Sequence, residues 1–232
     1  MQPYRRFHSQ YRERLSLADG TWAELRMVRP QDAALLKEGF ERLSPRSRFQ
    51  RFLSAKPRLS AEELRYLTSV DGEGHVAIGA VTWSPAGKEL GLGVARFFRL
   101  AHAPEVAEVA ITVVDDAQGK GLGRILLDKL VEAARERGVE RFDFRVLAGN
   151  VPMYKLVQTL APCEPEQDEE SLCFSVPLGA PARGSSEVLR SLLALAAQGA
   201  LTIIGPTCRW RSLSLVPPPV AYEKEARVPR GA

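Results

Sequence analysis

The chain has 232 residues, 45% hydrophobic and 26% charged, which places it among soluble globular proteins as one domain with appendages. Its net charge of +4 is mild and its basic residues form no Lys/Arg block, which argues against a nucleic-acid partner. Three cysteines, Cys163, Cys173 and Cys208, lack any CxxC spacing and so argue against a secreted disulfide scaffold and a zinc site.

The predicted elements alternate along the first 180 residues. Residues 11–17 and 21–29 read as strands around Ala18-Asp19-Gly20, a hairpin signal in which glycine supplies positive φ. Pro30 and Asp32 open a helix carrying Ala33, Leu36, Phe40 and Leu43 near helical spacing. A second helix starts with Ser44 as N-cap and Pro45 at its first position. Ser60 and Glu63, three apart, make a capping box for a third.

Strands are expected at residues 75–83, 90–100 and 105–114. Residues 121–137 form a strong helix, with Ile125, Leu126, Leu130, Val131 and Ala134 on one apolar face and Gly138 as its stop. A strand over 141–147, a helix over 151–160 and a strand over 171–176 complete the pattern. The class is α+β: a mixed, mostly antiparallel sheet flanked by helices, with one β-α-β crossover rather than a doubly wound sheet. Residues 181–232 read as a Gly/Pro/Ser linker and a C-terminal tail with a short apolar helix at 187–200. The tail helix is expected to pack on the domain or on a second copy. The polar N-terminus lacks the apolar run of a signal peptide, and no stretch reaches the roughly 18 apolar residues of a membrane span. The expected address is the cytoplasm, without a membrane partner.

The most informative segment ends one strand and opens a helix: Val113, Val114, Asp115, Asp116, Ala117, Gln118, Gly119, Lys120, Gly121, Leu122, Gly123. Three glycines in five residues let the backbone turn tightly and let a ligand press against it. The free amides and positive dipole end of the following helix favour phosphate oxygens, and Lys120 stands ready to add charge. A Walker A loop is excluded because Gly119-Lys120 is followed by Gly121 rather than Ser or Thr. A dinucleotide fingerprint is excluded because Leu126 stands where its third glycine belongs.

What fits is Q-x-x-G-x-G, here Gln118, Gly121 and Gly123, and in this the sequence resembles the GNAT acetyltransferases. The resemblance covers roughly residues 11–178. Asp19-Gly20-Thr21 leading to Arg29-Pro30-Gln31-Asp32, the segment 43–52 (LSPRSRFQRF) and Gly93-Val94-Ala95-Arg96-Phe97 are similar to the bacterial Pat-type protein-lysine acetyltransferases. The resemblance implies acetyl-CoA as co-substrate, its pyrophosphate on the amides of residues 118–123 and its pantetheine along strand residues 109–114. Asn150 matches an asparagine that contacts the pantetheine, although a plain helix N-cap is an equal reading. The implied acceptor is the ε-amine of protein lysines, acyl-CoA synthetases among them. A small-molecule amine acetyltransferase and a non-catalytic CoA-binding sensor are the alternatives. Pat-type proteins commonly carry a regulatory nucleotide-binding module, and none is expected within these residues.

A lysine amine, with an ordinary pKa near 10.4, must lose a proton before it attacks a thioester. Glu108, on the strand that feeds the glycine loop, is the expected base and matches the catalytic glutamate of Pat-like enzymes; its bland alternative is a solvated edge residue. Glu105 is expected on the opposite face, His102 in solvent, and His8 and His75 without a nameable partner. The tyrosine that many GNAT enzymes place seven residues after the asparagine is replaced by Val157, and Tyr154 sits at a different rotation. The usual Gly-Phe after this helix is also missing, replaced by Leu160-Ala161-Pro162-Cys163, so an atypical arrangement of the last strands is expected.

Overall fold

The computed structural model describes residues 5–168 and 170–179. The chain divides into a unit Met1–Ser185 and a unit Ser186–Ala232, and all described residues belong to the first. The apolar tail helix and Cys208 lie outside the described residues.

An eight-stranded sheet runs in the order β1-β2-β3-β4-β5-β6-β8-β7. The strands are β1 (Arg12–Ser16), β2 (Trp22–Met27), β3 (His75–Trp83), β4 (Glu89–Leu100), β5 (Ala103–Val113), β6 (Arg141–Leu147), β7 (Glu166–Asp168) and β8 (Ser171–Pro177). Every neighbouring pair is antiparallel except β5 and β6, which are joined by a helical crossover. The helices are α1 (Ala33–Glu41), α2 (Pro45–Phe52), α3 (Ala61–Thr68), α4 (Leu122–Arg135) and α5 (Val151–Gln158).

Local chemistry sets the helix starts. The Ser44 hydroxyl accepts from the Ser47 amide at 3.2 Å and Pro45 fills the first position of α2. Ser60 and Glu63 form the reciprocal capping box of α3. In α4, Leu122, Leu126, Leu127, Leu130, Val131, Ala133 and Ala134 are buried against the sheet, while Ile125 lies at the margin of the core. Each fully buried leucine contributes about 1.5–3 kcal/mol relative to exposure. Gly138, at φ +71°, carries the chain off the helix, and the Val139 amide closes on Ala134 O at 3.0 Å.

The sheet therefore has two covered faces. Gly93 on β4 lies against α4: a Cβ there would meet Thr112 O at 2.9 Å and Leu126 Cδ1 at 3.2 Å. The opposite face, carrying Arg96, Phe98, Glu108 and Thr112, lies under α1, α2 and α3. At the far edge, Leu160-Ala161-Pro162-Cys163 leads through coil into β7, which is only three residues long and pairs with β8. No helix among the described residues is long and apolar enough to cross a membrane.

Candidate active site

The site begins where two strands part. β5 pairs with β4 along nearly its whole length, but with β6 only through Val106, Ala107 and Glu108, opposite Arg141, Phe142 and Asp143. Beyond Glu108 the parallel ladder stops, which opens a cleft along residues 109–113 of β5. Strand backbone without a ladder partner is a template for another extended chain.

The cleft runs into the glycine loop. Val114 N donates to Leu92 O at 2.9 Å, a tight turn follows over Asp115–Ala117, and Gly119 (φ +74°) and Gly121 (φ +83°) adopt left-handed conformations. A Cβ at either glycine would meet nothing within 4 Å, so backbone conformation, not crowding, demands glycine there. Gly121 is the N-cap of α4, and Leu122 and Gly123 begin that helix, so its first amides have no intrahelical acceptor. Gln118 stitches the loop to the strand: its Nε2 donates to Val113 O at 3.0 Å and to Asp115 Oδ1 at 3.1 Å. Arg42 grips the Asp116 carboxylate with two bonds of 2.7 and 2.8 Å, and the Ser44 amide donates to Asp115 at 3.1 Å. Arg42 thus neutralises the Asp116 charge, while hydrogen bonds from Ser44 and Ser47 hold Asp115 ionised.

Two of the expected ligand-binding residues have side-chain partners within the chain. The Lys120 ammonium, expected to be available to a phosphate, is paired with Asp19 at 2.7 Å, across the tip of the β1–β2 hairpin. Asn150 is the N-cap of α5, its side-chain oxygen accepting from the Met153 amide at 3.2 Å. Val157 is fully buried and the Tyr154 ring packs edge-on against Phe174.

Glu108 sits at the fork of the strands and is only 9% exposed. Burial, followed by the charge of Asp143 beside it, raises its pKa from 4.5 to about 7, and Arg145 opposes part of that rise. Asp143 is itself buried; loss of water raises its pKa, against the Ser175 hydroxyl that donates to it at 2.7 Å and the nearby Arg141. Two carboxylates on adjacent strands thus make one of them a proton acceptor near neutrality. Glu105 is exposed and of opposite strand parity, and His102 is exposed, both as expected.

Across β4, Phe98 is the register partner of Glu108 and the centre of an aromatic stack. His75 lies 4.2 Å from Phe98 and Tyr66 5.6 Å, ring centroid to centroid. His75, which had no nameable partner in the sequence, is buried against Phe98 and meets Arg96 Nη1 at 3.4 Å. Burial first, then the Arg96 charge, lowers its pKa from 6.5 to about 4, so the imidazole is neutral at pH 7. Asp143 and Tyr66 carry no local signal in the sequence, and His75 and Arg96 carry none of their place beside Glu108. Only Arg96 left a local signal, as a charge inside an otherwise apolar strand.

The model of the acetyltransferase (GNAT) family matches residues 33–160, more than half of the chain. The chain belongs to that family. This acetyltransferase is 37% identical over 143 residues to acetyltransferase Pat of Mycolicibacterium smegmatis, covering 61% of this chain and 41% of that protein. It is 31% identical over 123 residues to acetyltransferase PA5475 of Pseudomonas aeruginosa, covering 53% and 65% respectively. The chain thus spans about two fifths of the first relative and about two thirds of the second. Among solved structures, the GNAT domain of S. lividans PAT superposes with a TM-score of 0.66 at 28% identity, over 74% of this chain and 99% of that one. A cAMP-binding acyltransferase from Mycobacterium smegmatis gives 0.52 at 28% identity, over 78% of this chain and 52% of that one.

Proposed function

We propose that this acetyltransferase moves an acetyl group from acetyl-CoA onto the ε-amine of protein lysines, with Glu108 as general base. The observation that carries the reading is a buried carboxylate, with a pKa near 7, at the point where β5 leaves β6. Similarity to Pat-type proteins supports a protein acceptor, with acyl-CoA synthetases as the first candidates.

The residues present fit the donor. The unpaired edge of β5 over residues 109–113 suits the amide-rich pantetheine arm, and the amides of Gln118, Gly119, Lys120, Gly121, Leu122 and Gly123 suit its pyrophosphate. Val113 and Val114 fix the height of the loop above the cleft, and Asn150 holds the start of α5 on its other side. Acetyl-CoA supplies an acyl group activated as a thioester. The protein holds the acceptor, removes its proton and offers a backbone amide of β5 to the developing oxyanion.

At pH 7 roughly half of Glu108 is ionised, whereas an ordinary amine of pKa 10.4 is neutral in roughly one molecule per few thousand. A carboxylate of pKa near 7 takes a proton from an ammonium far better than one of pKa 4.5, while remaining largely ionised at slightly alkaline pH. The exposed Tyr66 ring, stacked on Phe98 beside Glu108, gives the methylene stem of a lysine an apolar wall. No side chain is assigned as general acid, and the thiolate leaves by taking its proton from water.

The test is thiol release from acetyl-CoA with purified acyl-CoA synthetases and with lysates, followed by mass spectrometry for acetyl-lysine. Protein-dependent release that yields acetyl-lysine supports the reading. Rapid release with free amines and none with any protein would move the acceptor to small molecules, and binding without any transfer would leave a CoA sensor.

A further inference from the structure

On the Glu108 face of the sheet, α1, α2 and α3 roof a cavity of ≈ 80 Å³. Its walls are mainly apolar, yet three arginines line it: Arg26, Arg51 and Arg96. Arg26 is satisfied. It holds Asp32 through two bonds of 2.7 and 2.9 Å and Glu89 at 2.9 Å. Arg51 and Arg96 have no carboxylate partner among the described residues. Arg51 Nε donates to the Thr112 hydroxyl at 3.0 Å and its guanidinium lies 4.9 Å from the Phe52 ring centroid. Arg96, 2% exposed, donates to Leu67 O at 2.7 Å and meets the neutral His75.

Each guanidinium carries five N–H donors, so these contacts leave most of them unused. Two cations without a counter-charge, Arg96 buried and Arg51 half-buried, also repel each other. Burial lowers the pKa of Arg51 to about 10, and burial plus the Arg51 charge lowers that of Arg96 to about 9. Burying unpaired charge is unfavourable, and guanidinium forks match planar or tetrahedral oxyanions, of which a carboxylate is the smaller and suits a cavity of ≈ 80 Å³. The contrast inside one cavity is informative, since Arg26 has two carboxylates from the chain while its neighbours have none.

The position relates this pair to the chemistry. Arg96 is the register partner of Ala110, two residues along β5 from Glu108, and Thr112 is two further. Side chains two apart share a face, about 7 Å from each other. A ligand that runs from the arginines along β5 would need a chain of a few methylenes to reach Glu108.

We propose that Arg51 and Arg96, aided by Thr112, form a subsite for the carboxylate of a small ligand whose other end reacts beside Glu108. This rests on Glu108 marking the acylation centre. Two ligands share the required chemistry: an acyl-CoA whose acyl group ends in a carboxylate, and an amine acceptor that carries its own carboxylate.

The experiment uses the full chain, wild type against Arg51→Gln, Arg51→Lys and Arg96→Gln, with circular dichroism to establish folding. Binding is read first, as protection from thermal unfolding by glutarate and by its uncharged diamide. Transfer is read in two arms, succinyl-CoA against butyryl-CoA as donor, and free lysine against 1,5-diaminopentane as acceptor. We expect glutarate but not the diamide to protect the wild type, and the carboxylate-bearing member of one pair to be preferred about 10- to 100-fold in kcat/KM. Arg51→Gln should abolish both effects and Arg51→Lys should restore part of them, so a failure of Arg96→Gln to fold does not decide the matter. Preference in the donor arm identifies a dicarboxylic acyl group; preference in the acceptor arm identifies an amino acid. No protection by glutarate and no preference in either arm overturns the subsite while leaving Glu108-dependent acetyl transfer intact. Carboxylate preference with turnover indifferent to Glu108→Gln would instead sink the base and spare the subsite. Loss of CoA affinity in Arg51→Gln without any change in carboxylate discrimination would reassign the arginine to the nucleotide and overturn the proposal.

Discussion

Replacing Glu108 with glutamine should stabilise the fold in alkaline solution and change little in acid. In acid the wild-type side chain is protonated and nearly isosteric with glutamine. Above neutrality it is a carboxylate, 9% exposed, facing a second carboxylate on β6. Its pKa is about 7 in the fold against 4.5 ordinarily, so the folded state binds the proton more tightly. Stability from Glu108 is therefore fully present below pH 4.5 and is lost as pH rises through 7. Between pH 5 and pH 8 the loss is about 2–3 kcal/mol, and Glu108→Gln removes it. Urea denaturation of both proteins at pH 5, 6, 7 and 8 measures the difference directly. The variant should gain on the wild type by that amount across the range, mostly between pH 5 and 7. A difference that does not vary with pH would refute the claim that Glu108 is buried beside Asp143 with a raised pKa.

His75 should titrate near pH 4 by NMR rather than near 6.5, and Arg96→Gln should move it upwards by removing a neighbouring cation. Its sign is opposite to that of Glu108: stability is present above pH 6.5 and lost as pH falls towards 4. Gly93→Ala should cost about 1–3 kcal/mol in urea denaturation, because its Cβ would meet backbone Thr112 O at 2.9 Å with no flexible end to yield. Gly121→Ala meets no atom but holds φ +83°, so it should cost about 1–2 kcal/mol and, by shifting the loop amides, weaken acetyl-CoA binding in calorimetry.

Much of the fold was legible because its signals are local. The strands at 75–83 and 141–147 and the caps at Ser44 and Ser60 follow from alternation and capping chemistry. β7 was missed: Glu-Gln-Asp has no apolar alternation, and only pairing with β8 makes it a strand. The glycine loop was legible for the same local reason, since its φ requirements are written in its glycines. The Lys120–Asp19 pair was not legible, because Asp19 lies in a distant hairpin. Asp143 reads as a solvated residue between Arg141 and Arg145, and burial on the shared face with Glu108 is a tertiary fact. The Arg51–Arg96 pair likewise exists only once α2 folds over β4 and β5.

The role of Glu108 as the base is tested most directly by the pH dependence of kcat/KM. Wild type and Glu108→Gln are to be compared from pH 5.5 to 9.5 with acetyl-CoA and a lysine-bearing protein acceptor. The wild-type profile should break near pH 7, whereas the variant, slower by about 10²–10⁴-fold, should keep only the upward slope of amine ionisation. Two profiles of the same shape and similar height would contradict the account, since the proton would then leave the amine without Glu108.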